Sequence, residues 1–130
     1  MATYIQAIQS DDGQVKVEAH ARALQMMCHG IAVECGWWAK RDRNIGEMLC
    51  LVHSEISEAM EGARKGMKDD HLPERDMLEV ELADAVIRIF DMAGGLNLDV
   101  SGAIAEKLSY NTRRADHKLE NRAKSGGKLF

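Results

Sequence analysis

Residues 80–91, VELADAVIRIFD, set the tightest limit on what this chain can fold into. Wound at about 100° per residue, Val80, Leu82, Ala83, Ala85, Val86, Ile87, Ile89 and Phe90, with Leu78 before them, spread almost all the way round a helix. A helix that apolar is buried on most sides. Its polar positions, Glu81, Asp84, Arg88 and Asp91, recur at spacings of three, four and three, so they form one narrow stripe. The rest of the chain must cover the helix, and something must satisfy the stripe.

The surrounding segments supply more helices. Ala, Leu, Met, Glu, Lys and Arg dominate, β-branched runs are short, and Pro73 is the single proline. Val17, Ala21, Leu24, Cys28, Ile31 and Cys35 recur at alternating spacings of four and three, which predicts a first helix from about Val15 to Cys35, stopped by Gly36. WWAKRDRN then connects to a second helix, beginning near Asn44 to Gly46 and running to Lys65 with Gly66 closing it. GMKDDHLPERD is a polar loop before a third helix from about Arg75 to Ala93, ended by Gly94 and Gly95. Asp99 or Ser101 can cap a fourth, extending through EKLSYNTRRADHKLENR. The expected fold is all-α, a four-helix antiparallel bundle with short connections. Residues 1–130 read as a single domain, with a loose N-terminus over 1–13, ending in the turn-like SDDG, and a flexible tail over 125–130.

Bulk properties exclude several classes. Seventeen basic against 21 acidic residues give a net charge of −4, so there is no electrostatic footprint for nucleic acid. No apolar run is long enough to span a membrane, and the N-terminus has no signal-peptide pattern. Cys28, Cys35 and Cys50 form no CxxC pair and fall mostly at positions read as core, which predicts free thiols and a cytoplasmic location.

The chemistry lies in the carboxylates. On the second helix Met48, Leu49, Leu51, Val52, Ile56, Ala59 and Met60 cover about half the wheel. Glu55 falls inside that arc and Glu58 at its edge, whereas Glu47, Ser54, Ser57, Glu61 and Lys65 take the opposite, solvated side. Glu55 and Glu58 on one helix, Glu81 and Asp84 on the next, each pair at i, i+3, converge if the two helices pack together. Unpaired buried anions cost several kcal/mol each. Two remedies remain open: a buried ion-pair network around Arg88, or a divalent cation such as Mg²⁺ with an all-oxygen shell. A di-iron site is excluded by the absence of any ExxH, and a Cys50–His53 nucleophile pair lacks an orienting third group.

SEISE (54–58), ELAD (81–84), KLSYN (107–111) and the terminal GGK (126–128) together resemble the MazG-like all-α nucleoside triphosphate pyrophosphohydrolases, relatives of the dimeric dUTPases and dCTP pyrophosphatases. The resemblance covers about Trp37 to Phe130. The family pattern is EExxE, a gap, then ExxD; Ser54 stands at the leading Glu, while Glu55, Glu58, Glu81 and Asp84 match. The resemblance implies hydrolysis between the α and β phosphates, giving a monophosphate and pyrophosphate. It implies Mg²⁺, with Mn²⁺ as a substitute, held by those four carboxylates, and Glu55 or Glu58 as general base. It implies that Lys107, Asn111 and Arg114, at spacings of four and three, meet the triphosphate or sugar, with Lys118, Arg122 and Lys128 adding to the patch; read alone, they more commonly form a solvated basic face. Trp37 and Trp38 lie where relatives hold the base, one as core and Trp38 facing the ligand, with Arg41 and Asn44 reading base edges. Arg88 can reach the carboxylates or the substrate. A homodimer or homotetramer is expected, both from the family and from the apolarity of the third helix. Two alternatives stay open: a substrate-restricted relative acting on dUTP, dCTP or phosphoribosyl-ATP, and a non-catalytic bundle that binds nucleotides or a protein.

Overall fold

A computed structural model gives the structure of the chain and describes residues 1, 3–40 and 42–128. The described residues are helical, with no strand among them beyond one isolated pairing of Lys68 with Asp76. The helices are α1 (Tyr4–Gln9), α2 (Asp11–Glu34), α3 (Ile45–Lys65), α4 (Met77–Gly95), α5 (Val100–Asn111) and α6 (Leu119–Arg122), with a 3₁₀ turn at Ala115–His117. None is long and apolar enough to cross a membrane. The chain divides into two compact units, residues 1–23 with 99–130 and residues 24–98.

In the 24–98 unit, α3 packs along α4. Cys28, Met48, Ala59, Ala85, Phe90 and Ala93 form its buried apolar set, and burying a side chain such as Phe90 stabilises by about 1.5–3 kcal/mol. Both ends of α3 fall where the sequence places them. Asn44 caps the start, its Oδ1 accepting from the Glu47 N–H at 3.1 Å. Gly66 ends the helix in the left-handed region at φ 60°, which favours glycine. The α3–α4 loop is closed at its base: Met77 N–H donates to Met67 O (3.0 Å), Asp69 N–H to Arg75 O (3.1 Å), and Lys68 pairs with Asp76 at 2.6 Å. That pairing takes up Arg75 and Asp76, so α4 starts at Met77 rather than Arg75. Contrary to its expected burial on most sides, α4 exposes Leu78, Leu82, Val86 and Ile87. Cys28 is buried, but Cys35, expected on the first apolar stripe, is exposed, as is Cys50; all three thiols are free. Leu24 and Ile31 of the first apolar stripe are exposed as well.

The other unit departs further from the sequence reading. Residues 4–9, expected to be loose, form α1, started by a Thr3–Gln6 capping box and packed on α5. SDDG is a helix start rather than a turn: the Ser10 hydroxyl accepts from Gly13 N–H at 3.1 Å, and Asp11 and Asp12 sit in the first turn of α2, where the helix dipole favours them. Asp99 caps α5 as expected, accepting from Gly102 N–H at 3.0 Å. The long fourth helix does not continue to Arg122. It stops at Asn111, where the Thr112 hydroxyl donates to Ser109 O (2.7 Å), a local bond that competes with helical backbone pairing. Arg114 then turns extended and donates to both oxygens of Asp116, at 2.9 and 2.5 Å. Lys128, in the expected flexible tail, reaches the same carboxylate at 2.8 Å.

Candidate metal centre

The packing of α3 on α4 brings Glu55, inside the apolar arc of α3, against the polar stripe of α4. Glu55, Glu81 and Asp84 each present an oxygen, and these oxygens lie within 4.8 Å of one another. Glu55 and Glu81 are buried, at 6 % and 7 % exposure, and Asp84 is exposed. The i, i+3 spacing on α4 and the inward position of Glu55 on α3 therefore do bring three of the four expected carboxylates together. Glu58 does not join them. It lies at the edge of the apolar arc and remains exposed, although its charge still acts on Glu81.

Three acids in so small a volume repel one another's ionisation. Burial pushes the Glu81 carboxyl up to about 7, helped by a hydrogen bond with Glu55 and by the charges of Glu58, Glu55 and Asp84. Asp84 is raised as well, first by burial and then by Glu55, with Arg88 and His71 opposing. Among the described residues Arg88 answers the cluster, its Nε donating to Glu55 Oε1 at 2.5 Å. One guanidinium against the three clustered carboxylates leaves oxygen donors in excess. That donor set suits a hard divalent cation with water completing its shell.

A recess of about 250 Å³ opens beside the cluster, lined by Asp84, Ile87, Arg88 and Asp91 of α4 and by Cys28 and Ile31 of α2. Asp91, which lines the same recess, centres a second polar cluster. Its Oδ1 accepts from Trp38 Nε1 at 2.7 Å and lies 3.0 Å from His29 Nδ1, and its Oδ2 is 3.4 Å from Arg43. Trp38, expected to face the ligand, is thus the packed member of the pair, and Trp37 is 68 % exposed. Asn44, expected at base edges, has its side-chain oxygen committed to the α3 cap. Arg41 lies outside the described residues.

Lys107, Asn111 and Arg114 belong to the other unit. Lys107 is exposed, with its ammonium 4.8 Å from the centroid of the Tyr110 ring. Asn111 carries a buried side-chain oxygen without a hydrogen-bond partner. Arg114 lies past the end of α5, so it does not share a helical face with the other two, and Asp116 engages it.

Sequence reasoning passed over Asp69 and the role of Asp91. Asp69 is buried in the α3–α4 loop, its Oδ1 accepting from His71 N–H (3.0 Å) and Leu72 N–H (2.6 Å), and its charge bears on Asp84. An aspartate two and three residues before the amides it binds is a local turn signal, but nothing in that signal marks it as buried. Asp91 was visible as the last member of the α4 stripe; its partners, 48 to 62 positions away, were not. Comparison of the chain with protein-family models, curated proteins and solved structures gave no match.

Proposed function

We propose that this chain is a Mg²⁺-dependent nucleoside triphosphate pyrophosphohydrolase of the MazG-like type, converting a (deoxy)nucleoside triphosphate and water to the monophosphate and pyrophosphate. The observation that carries the reading is the convergence of Glu55, Glu81 and Asp84 within 4.8 Å on two packed helices, at the spacing of the motif the sequence resembles. Mutually repelling carboxylates, two of them buried, with a guanidinium beside them are the donor set such an ion needs. Glu55, Glu81 and Asp84 would hold it. When bound, Mg²⁺ or Mn²⁺ supplies positive charge to the triphosphate and lowers the pKa of a water.

The chain's own groups account for the rest. Glu55 is tied to Arg88 and hydrogen-bonded to Glu81, which leaves the exposed Glu58 as the carboxylate free to take a proton from the attacking water. The water oxygen bonds to the α-phosphorus, the bond to the bridging oxygen breaks, and pyrophosphate leaves with that electron pair. Arg88, 42 % exposed beyond its bond to Glu55, offers a fork toward developing phosphate charge. The adjoining recess has room for the nucleoside. Assignment of Lys107 and Asn111 to the phosphates or sugar rests on the sequence resemblance alone. The reading includes a homodimer or homotetramer, supported by the exposed Leu78, Leu82, Val86 and Ile87 of α4; a stable monomer in light scattering would oppose that part.

The test is a panel of ribo- and deoxynucleoside triphosphates with Mg²⁺, with pyrophosphate and orthophosphate assayed separately. Pyrophosphate release is expected, lost in Glu55→Gln and Asp84→Asn while the helical circular dichroism persists. Orthophosphate alone, no turnover of any member, or full activity in either variant would overturn the reading.

A further inference from the structure

Asp91 gathers more partners than any other carboxylate in the 24–98 unit, and none of them belongs to the acidic cluster. Three come from outside α4: His29 on α2, and Trp38 and Arg43 on the connection between α2 and α3. They also hold one another. The Arg43 guanidinium lies over the Trp38 ring at 4.8 Å, and His29 meets that ring edge-on, at 5.3 Å and 78°. The far edge of Trp38 rests on Gly95, where a Cβ would fall 2.0 Å from the indole, and His29 rests on Gly94, where it would fall 2.5 Å away. The two glycines that read as a helix stop are therefore also the flat place on which the rings dock.

The placement of this dock gives it a consequence for the metal centre. Arg43 immediately precedes Asn44, the cap of α3, so whatever holds Arg43 holds the first turn of α3. From Asn44 to Glu55 the chain is one unbroken helix, which transmits an axial position rigidly over about 16 Å. Asp91 lies on the same face of α4 as Arg88 and Asp84, one and two turns further on. The pair α3–α4 is thus pinned at two levels, by Arg88 on Glu55 and by Asp91 on the connection. Packed helices slip in steps of a turn, about 5.4 Å, and a slip of that size exceeds the 4.8 Å over which the three ligand oxygens converge.

We infer that Asp91 is a positioning residue: by gathering Trp38, His29 and Arg43 onto α4 it fixes where α3 sits along α4 and so sets the convergence of Glu55 with Glu81 and Asp84. This rests on the metal-centre reading of those carboxylates. Asp91 is not one of the converging ligand residues, and its effect on the ion is through the geometry of the groups that hold it.

The experiment uses the full chain carrying Trp37→Phe, so that Trp38 alone fluoresces. Mn²⁺ binding, followed by electron paramagnetic resonance, is measured in this background and in Glu55→Gln. Asp91→Ala is the main variant. Gly95→Ala, which displaces the indole while leaving the carboxylate in place, is the second. Both should shift Trp38 emission to the red and weaken Mn²⁺ binding on the order of ten-fold, with the helical signal retained. Asp91→Asn, which keeps an acceptor for the indole N–H, should recover most of the affinity. Mn²⁺ binding that is present, abolished by Glu55→Gln, yet unchanged in both dock variants would overturn the positioning role alone. Unchanged Trp38 emission in Asp91→Ala would overturn it too. A background protein that binds no Mn²⁺ would overturn the metal-centre reading, and the inference with it.

Discussion

Replacing Glu81 with glutamine should make the metal-free protein more stable at neutral pH and leave it unchanged in acid. In the unfolded chain the carboxyl ionises near its ordinary value of 4.5; in the folded protein it keeps its proton up to about 7. Between those values the folded state holds more protons than the unfolded one, so stability falls as pH rises. Glu81 therefore contributes stability that is fully present below about pH 4.5 and is lost as pH passes through about 7. A displacement of that size corresponds to about 3 kcal/mol. Part of it comes from Glu58 and Asp84, which are exposed and screened by water, so the expected effect is about 1–3 kcal/mol. Glutamine has the same shape, still donates a hydrogen bond toward Glu55, and cannot titrate. For a chain of this length the gain at pH 8 amounts to about 3–10 °C in Tm. The assay is thermal unfolding by circular dichroism in chelator, wild type against Glu81→Gln, from pH 4.5 to 8. A difference that opens as pH rises is expected, and saturating Mg²⁺ should reverse its sign by stabilising the wild type alone. Parallel Tm curves across that range would refute both the burial of Glu81 among like charges and the cluster's need for a cation.

Two further outcomes follow from individual contacts. Arg88→Met leaves Glu55 buried without its cation; because Arg88 is 42 % exposed and water takes part of its place, the loss in urea unfolding should be about 1–2 kcal/mol in chelator and smaller with Mn²⁺ present. Asn44→Ala removes the side-chain acceptor for Glu47 N–H and should cost about 0.5–2 kcal/mol in the same assay.

What could be read from the sequence was whatever is set by neighbours along the chain. Asn44 and Gly66 bound α3 because a cap needs only an amide three residues away and a left-handed glycine. The 81–84–88–91 stripe needs only helical spacing, and with Glu55 it yielded three members of the candidate site. What stayed hidden depends on distant partners. Trp37 and Trp38 are adjacent, and no periodicity says which turns inward; Asp91, 53 positions on, decides it. RRADHK is compatible with a continuing helix, and the break after Asn111 reflects Thr112 bonding backward and Arg114 closing on Asp116. Helix α1 has six residues, too short to nucleate on propensity, and exists because its cap and α5 support it.

The closed base of the α3–α4 loop bears on how the protein comes to exist at all. Glu55 and Arg88 are 33 positions apart, and the chain between them is two helices and one pinned turn. Contacts of such short sequence separation cost little loop entropy and favour fast folding. The acidic cluster is therefore assembled when a single helical hairpin closes, so a cation of the kind proposed would meet it on the folding chain as well as on the finished protein.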